Sequence, residues 1–409
     1  MAEMQPALIA ADNGRISLFA SLLRGAYKLS GAKKAFALPE EPLRRVIEKQ
    51  NRHRGVFTPT DRKACYETIT VNGSPCLIVR EHPQPSKRAI LYFFGGRMVI
   101  GPDRGDLPVM RKLMRETGCD VWFPFYPLCT EHCITETYDM VYACYRRMIG
   151  LYGGGNVSTC GFSSGGALAL GIAAHNNALG APLPQPRHIV AVSPGEVPWN
   201  DAEKARMQAL NRRDAAIDYA FLETVERFMR HGQEQVPDYM ISGSRGDLSG
   251  VGDIYFFYSA DEVLYGALPD FAEACKRAKV PCAAYARPKM DGTLLLHAPL
   301  LQGGAGGLCP DHRNLRGLSP KARLRRGYSF APSDPACSGS NSFSRPRHPS
   351  STSRQVASKS PVYHGSATLP GRAVWSIRRD ILPPSSPPQM RRISRRLALS
   401  MPISRSYRA

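Results

Sequence analysis

The chain has 409 residues, 43% of them hydrophobic and 22% charged, which is apolar enough to bury a full core and excludes a chain disordered throughout. The formal net charge is +20, but the residues from Asp291 onward supply +15 of it, with 19 Lys plus Arg against 4 Asp; the first 290 residues therefore lack the excess charge of a nucleic-acid-binding body. No apolar run reaches ~18 residues, which excludes a membrane-spanning helix.

Taken in chain order, residues 1 to about 50 read as helical. Ser17 to Leu29 carries apolar residues at Leu18, Leu22, Leu23 and Tyr27, and Glu41 to Lys49 is a second, charged helix. This N-terminal segment, residues 1–55, is expected to pack as an arm or to cap a pocket. From Cys65 the texture turns to strands: Cys76 to Arg80, Ala89 to Phe94, Val121 to Phe125, Val157 to Cys160, His188 to Ser193, Asp253 to Ser259 and Pro281 to Ala286. They alternate with helical stretches at Leu107 to Glu116, Ile134 to Leu151, Ala167 to Asn177 and Pro269 to Lys279. The alternation over residues 56–290 predicts an α/β fold with a mostly parallel central sheet flanked by helices. Between Pro194 and Leu248 it breaks, and a charged, largely helical segment from Ala202 to His231 reads as an insertion, near 195–245, placed to form a helical cap.

After Met290 the composition switches. Residues 291–409 contain no Glu and only two Lys, and Arg, Ser and Pro dominate stretches such as "SFSRPRHPSSTSR". So little apolar surface cannot offset the entropy of ordering, so a disordered basic tail is predicted. Three readings of it stand side by side: an arm that binds nucleic acid or another acidic surface, a solvated tail without a partner, and a slip of the reading frame near Met290.

The stretch that carries chemistry is "VSTCGFSSGGALAL", residues 157–170. An apolar strand, a turn containing Gly161 and Gly165, and a run of helix formers follow one another, the order needed to expose Ser163 as a nucleophile at a helix N-terminus. A tight strand-to-helix turn with no chemistry has the same pattern. Upstream, "LYFFGGRMVIG" sets Gly95 and Gly96 directly after a buried strand. Their N–H groups, with that of Ser164, could face a developing negative charge as an oxyanion hole.

Three segments together resemble the hormone-sensitive lipase-like branch of the α/β-hydrolase superfamily. The branch has H-G-G-G after a strand, then Y-R-L-A-P-E-H, then G-D-S-A-G-G. Here these read Phe94-Gly95-Gly96-Arg97, Tyr126 to His132, and Gly161-Phe162-Ser163-Ser164-Gly165-Gly166. Phe94 stands in place of the motif histidine, Arg97 in place of the third glycine and Phe162 in place of the aspartate. The resemblance, over residues 50 to 290, implies an α/β-hydrolase fold and a serine esterase acting through an acyl-enzyme on small or medium acyl esters, with no metal or organic cofactor. It puts the triad acid at Asp261 in "DIYFFYSADEVL", with Glu262 as fallback, and the base histidine near Asp291 or Gly292. The nearest histidine there is His297, which is the candidate base.

If His297 cannot serve, the chain is instead a hydrolase-like protein without activity; a third reading places the function in nucleic-acid binding by the tail. The cluster Cys129-Thr130-Glu131-His132-Cys133 offers metal-ligating atoms but not two separated ligand pairs, so no metal is expected. Eleven irregularly spaced cysteines and the lack of a charged-then-apolar leader point to free thiols and a cytoplasmic protein. The expected partner is a small-molecule ester, nucleic acid is not expected, and a homodimer stays open.

Overall fold

The structure is a computed structural model that describes residues 7–11 and 31–287. Its strands form one nine-stranded sheet: β1 (Ala7–Ala11), β2 (Cys65–Val71), β3 (Ser74–Arg80), β4 (Ala89–Phe93), β5 (Asp120–Pro124), β6 (Val157–Phe162), β7 (His188–Val192), β8 (Asp253–Ser259) and β9 (Cys282–Arg287). The spatial order is β1-β9-β8-β7-β6-β4-β5-β3-β2. Pairings from β1 to β5 are parallel, and only β2 with β3 and β3 with β5 run antiparallel. All five residues of β4 and of β5 are buried, as expected for strands covered on both faces. The parallel core and its flanking helices give the α/β-hydrolase architecture expected from the sequence.

The helices are α1 (Ala32–Phe36), α2 (Glu40–Asn51), α3 (Asp106–Thr117), α4 (Ile134–Tyr152), α5 (Ser164–Ala178), α6 (Asp201–Leu210), α7 (Ala220–Arg230), α8 (Asp238–Ile241) and α9 (Leu268–Arg277). Helix α5 is buried from Ser164 to Gly166 and from Leu168 to Ala174, because it packs against β4, β6 and β7 and under α4. Its apolar residues therefore surround it instead of lining one stripe. None of the nine cysteines among the described residues is in a disulfide. No helix among these residues is long and apolar enough to cross a membrane.

One local expectation changes. Residues Ala7–Ala11 form a strand and not the start of a helix, pairing in parallel with β9 and supplying backbone partners to its outer edge. The helix expected at Ser17 to Leu29 and the tail from residue 291 lie outside the described residues. The largely helical segment expected from Ala202 to His231 consists of α6 and α7 with a loop between them. The break is chemical: Asp214 Oδ1 accepts the N–H groups of Ala216 (2.7 Å) and Ile217 (2.9 Å), and Asn211 Oδ1 accepts that of Tyr219 (3.0 Å). Such side-chain acceptors take the donors a continuous helix would use.

The hairpin from β2 to β3 was legible only in part. Val71 and Ser74 pair around Asn72 and Gly73, both at positive φ (45° and 79°), as a two-residue hairpin turn requires. Thr68 and Glu67 are exposed on β2, so this edge strand lacks the apolar run that marks the central strands.

Candidate active site

Ser163 lies between the last residue of β6 and the first of α5, at φ 53° and ψ −121°. A non-glycine residue held in such a region costs about 1–3 kcal/mol and persists only where its surroundings impose it. Here the Ser163 N–H donates to Val192 O (2.8 Å), and Ser163 O accepts from Ala167 N–H (3.1 Å) and Gly195 N–H (3.0 Å). A Cβ at Gly161 would collide with the Gly165 carbonyl, and one at Gly165 with the carbonyls of Phe93 and Phe94. Strand β6, helix α5 and the end of β4 meet too closely for any other residue at these two positions. The order reversal of the sheet, where β4 connects onward to β5 but lies beside β6, falls at the same point, where a crevice opens in α/β sheets.

Gly95 and Gly96 leave β4 beside this turn. The Gly96 N–H donates to Ser164 Oγ at 3.1 Å, and a Cβ at Gly95 would lie 3.2 Å from Ser163 Cβ. Gly96 O accepts from Val99 (3.0 Å) and Ile100 (2.7 Å), which folds residues 96–100 into a compact turn. Phe94 is fully buried, its ring stacked on Tyr126 at 4.0 Å, while the Tyr126 hydroxyl donates to Phe94 O at 2.7 Å. The residue in the motif-histidine position is thus a core residue that anchors the glycine loop.

Asp261 lies two residues beyond β8 and is 6% exposed. Its Oδ1 pairs with the Arg213 guanidinium from the loop between α6 and α7, and its N–H donates to Ser259 Oγ (3.3 Å). Glu262 faces elsewhere: it accepts from Ser193 Oγ (2.8 Å) and Ser259 N–H (2.9 Å), joining the ends of β7 and β8. The two carboxylates that sequence left as alternatives therefore have different surroundings. His297 lies outside the described residues.

Ser163 and Ser164 open into a pocket roofed by Phe221, Leu222, Val225 and Met229 of α7. Those four residues share one face of the helix by spacing, and the helix buries that face. The floor includes a group that sequence reading missed. Glu196 is 3% exposed, accepts hydrogen bonds from Ser244 N–H (2.8 Å) and Ser244 Oγ, and lies against buried Glu203. Burial, and then the Glu203 charge, raise the Glu196 carboxyl well above its usual range. No local pattern announces the pair, because both residues read as solvated carboxylates of a loop and a helix.

The Cys129 to Cys133 segment has a structural use. Cys133 N-caps α4 in a capping box with Glu136, whose Oε1 accepts the Cys133 N–H (3.1 Å), and His132 Nδ1 lies 2.8 Å from Glu136 Oε2. Cys129 N–H donates to Met98 O (2.7 Å), fixing the glycine loop from the far side. Among the described residues no group of three or more His, Cys, Asp or Glu side chains is placed to hold a metal ion.

Comparison with known proteins agrees with this architecture. A family described as having the alpha/beta hydrolase fold matches residues 90–292. An esterase from the bacterial hormone-sensitive lipase family superposes with a TM-score of 0.57 at 21% identity, over 71% of this chain and 95% of that one. EstE5, soaked with p-nitrophenyl butyrate, gives 0.57 at 19% identity over 71% and 94%. An esterase/lipase from an uncultured bacterium gives 0.56 at 19% identity over 71% and 94%. No curated protein sequence matches the chain.

Proposed function

We propose that this chain, which has the α/β-hydrolase fold, is a serine esterase of the hormone-sensitive lipase-like branch. The observation that carries the reading is Ser163 itself, held at φ 53° at a strand-to-helix corner and opening into an apolar cavity. Ser163 Oγ attacks the ester carbonyl while His297 accepts its proton. Asp261 orients the imidazole. The oxyanion receives hydrogen bonds from the N–H groups of Gly95, Gly96 and Ser164, and Gly96 N–H already faces the elbow through Ser164 Oγ. The protonated base then gives its proton to the departing alcohol, leaving an acyl-enzyme that water hydrolyses by the same route.

Helix α7, with the rest of the 195–245 insertion and the N-terminal helices, acts as the cap. A pocket with an apolar roof suits the acyl chain of an ester. None of these steps calls for a cofactor. Hydrolysis of p-nitrophenyl butyrate by the purified chain tests the reading. The expected outcome is turnover that falls by about 10³-fold or more in Ser163→Ala; turnover unaffected by that change would rule Ser163 out.

A further inference from the structure

The residue after the two glycines makes contacts that the reaction above does not use. Arg97 has φ 56° and Met98 φ 61°, two successive non-glycine residues in the left-handed region. A lone loop would relax them. The Arg97 side chain instead reaches into the covering layer. Its guanidinium lies 3.7 Å from the ring centre of Phe36 on α1 and 5.6 Å from that of Phe221 on α7, and Nη2 donates to Ala216 O at 3.2 Å. Phe36 and Phe221 also meet each other edge to face at 5.1 Å. A planar cation is suited to this seat, since it can present a face to an aromatic ring and an edge to a carbonyl together.

The seat is tied to the rest of the site. Lys33 of α1 donates to Asp214 O (3.0 Å) and Asn211 O, both in the loop that carries Ala216. In the same loop the Asp214 carboxylate accepts the N–H of Val263 (2.7 Å), next to Glu262 and Asp261. Arg97 is therefore the point where the glycine loop, the N-terminal helix and the insertion come together.

We propose that Arg97 is a positioning residue: by clamping α1 and the 216–221 segment onto the loop of Gly95 and Gly96, it holds that loop in the conformation that presents its N–H groups to the oxyanion. The catalytic part of this proposal rests on the esterase reading, whereas the clamp itself does not. The closure of the cover and the shape of the oxyanion loop are then one event, and a substrate that seats the cover also completes the donors.

The test uses the full chain with Arg97→Gly and Arg97→Lys. Glycine suits φ 56° and so removes the clamp without adding backbone strain; lysine keeps the charge and loses the planar fork. Amide hydrogen exchange is followed by mass spectrometry over residues 32–38, 94–99 and 213–222, beside turnover of p-nitrophenyl butyrate. Arg97→Gly is expected to lose protection in all three segments together, and kcat is expected to fall about tenfold with KM within about twofold. Arg97→Lys should lie between it and the parent. Parent-like exchange in any of the three segments of Arg97→Gly would overturn the clamp whatever the activity, and lost protection with unchanged kcat would overturn the positioning role. A parent chain without turnover would count against the esterase reading, and the exchange data would still decide the clamp.

Discussion

At the elbow, Ser163 is placed by close neighbours: Gly161 and Gly165 two residues to either side, the adjacent strands β4 and β7, and a helix that begins at the next residue. The insertion, by contrast, is joined to the rest of the site by partners far along the chain. Arg213 meets Asp261 across 48 residues, Ser244 meets Glu196 across 48, and Ala216 meets Arg97 across 119. A geometry set by local sterics repeats wherever its short sequence does, so it can be read from a pattern. A geometry set by distant side chains has no such short signature.

The sharpest way to use this contrast is at the acid turn, where adjacent carboxylates look alike in sequence. Asp261→Asn is expected to lower turnover by about 10²–10⁴-fold with little change in Tm, because the role proposed for it is to orient the base. Glu262→Ala is expected to do the reverse: it removes acceptors for Ser193 Oγ and the Ser259 N–H, costing about 1–3 kcal/mol of stability. Turnover and thermal unfolding measured on both variants check this; equal effects of the two changes on turnover would remove the distinction.

A smaller effect is expected from the carboxyl pair in the floor of the cavity. Glu196 faces Glu203 of α6 and the Ser244 donors, and Tyr258 of β8, Asp270 of α9 and Arg206 of α6 also act on the pair. Since the folded protein raises the Glu196 carboxyl above its usual 4.5, it binds a proton more tightly than the unfolded chain does. The resulting stability is fully present below pH 4.5 and is lost as pH rises through the raised value. Glu203→Gln removes the like charge and should flatten the decline of Tm with rising pH. Parallel Tm profiles for parent and variant above pH 4.5 would show that Glu203 does not raise the Glu196 carboxyl.

Much of the fold was legible because central strands such as β4 and β5 are uninterrupted apolar runs and helices such as α3 and α9 carry clear amphipathic spacing. Strand β2 was less so, since its exposed Glu67 and Thr68 interrupt the apolar run at the sheet edge. At the site, the glycines around Ser163 could be read because close backbone approach admits no other residue. Phe94 and Arg97 read as departures from a motif, and only the packing gives them functions: one stacks on Tyr126 in the core, the other on Phe36 in the cover. Glu196 could not be found, because nothing near it in sequence shows that Ser244 and Glu203 surround it.

The central claim is that Ser163 is an activated nucleophile, and covalent labelling by a fluorophosphonate tests it most directly, in the full parent chain beside Ser163→Ala and His297→Ala. The account predicts one labelled peptide containing Ser163 in the parent, none in Ser163→Ala, and labelling slowed by about 10³-fold or more in His297→Ala. A folded parent chain that does not label at Ser163 would contradict it, since a serine without a working base does not react.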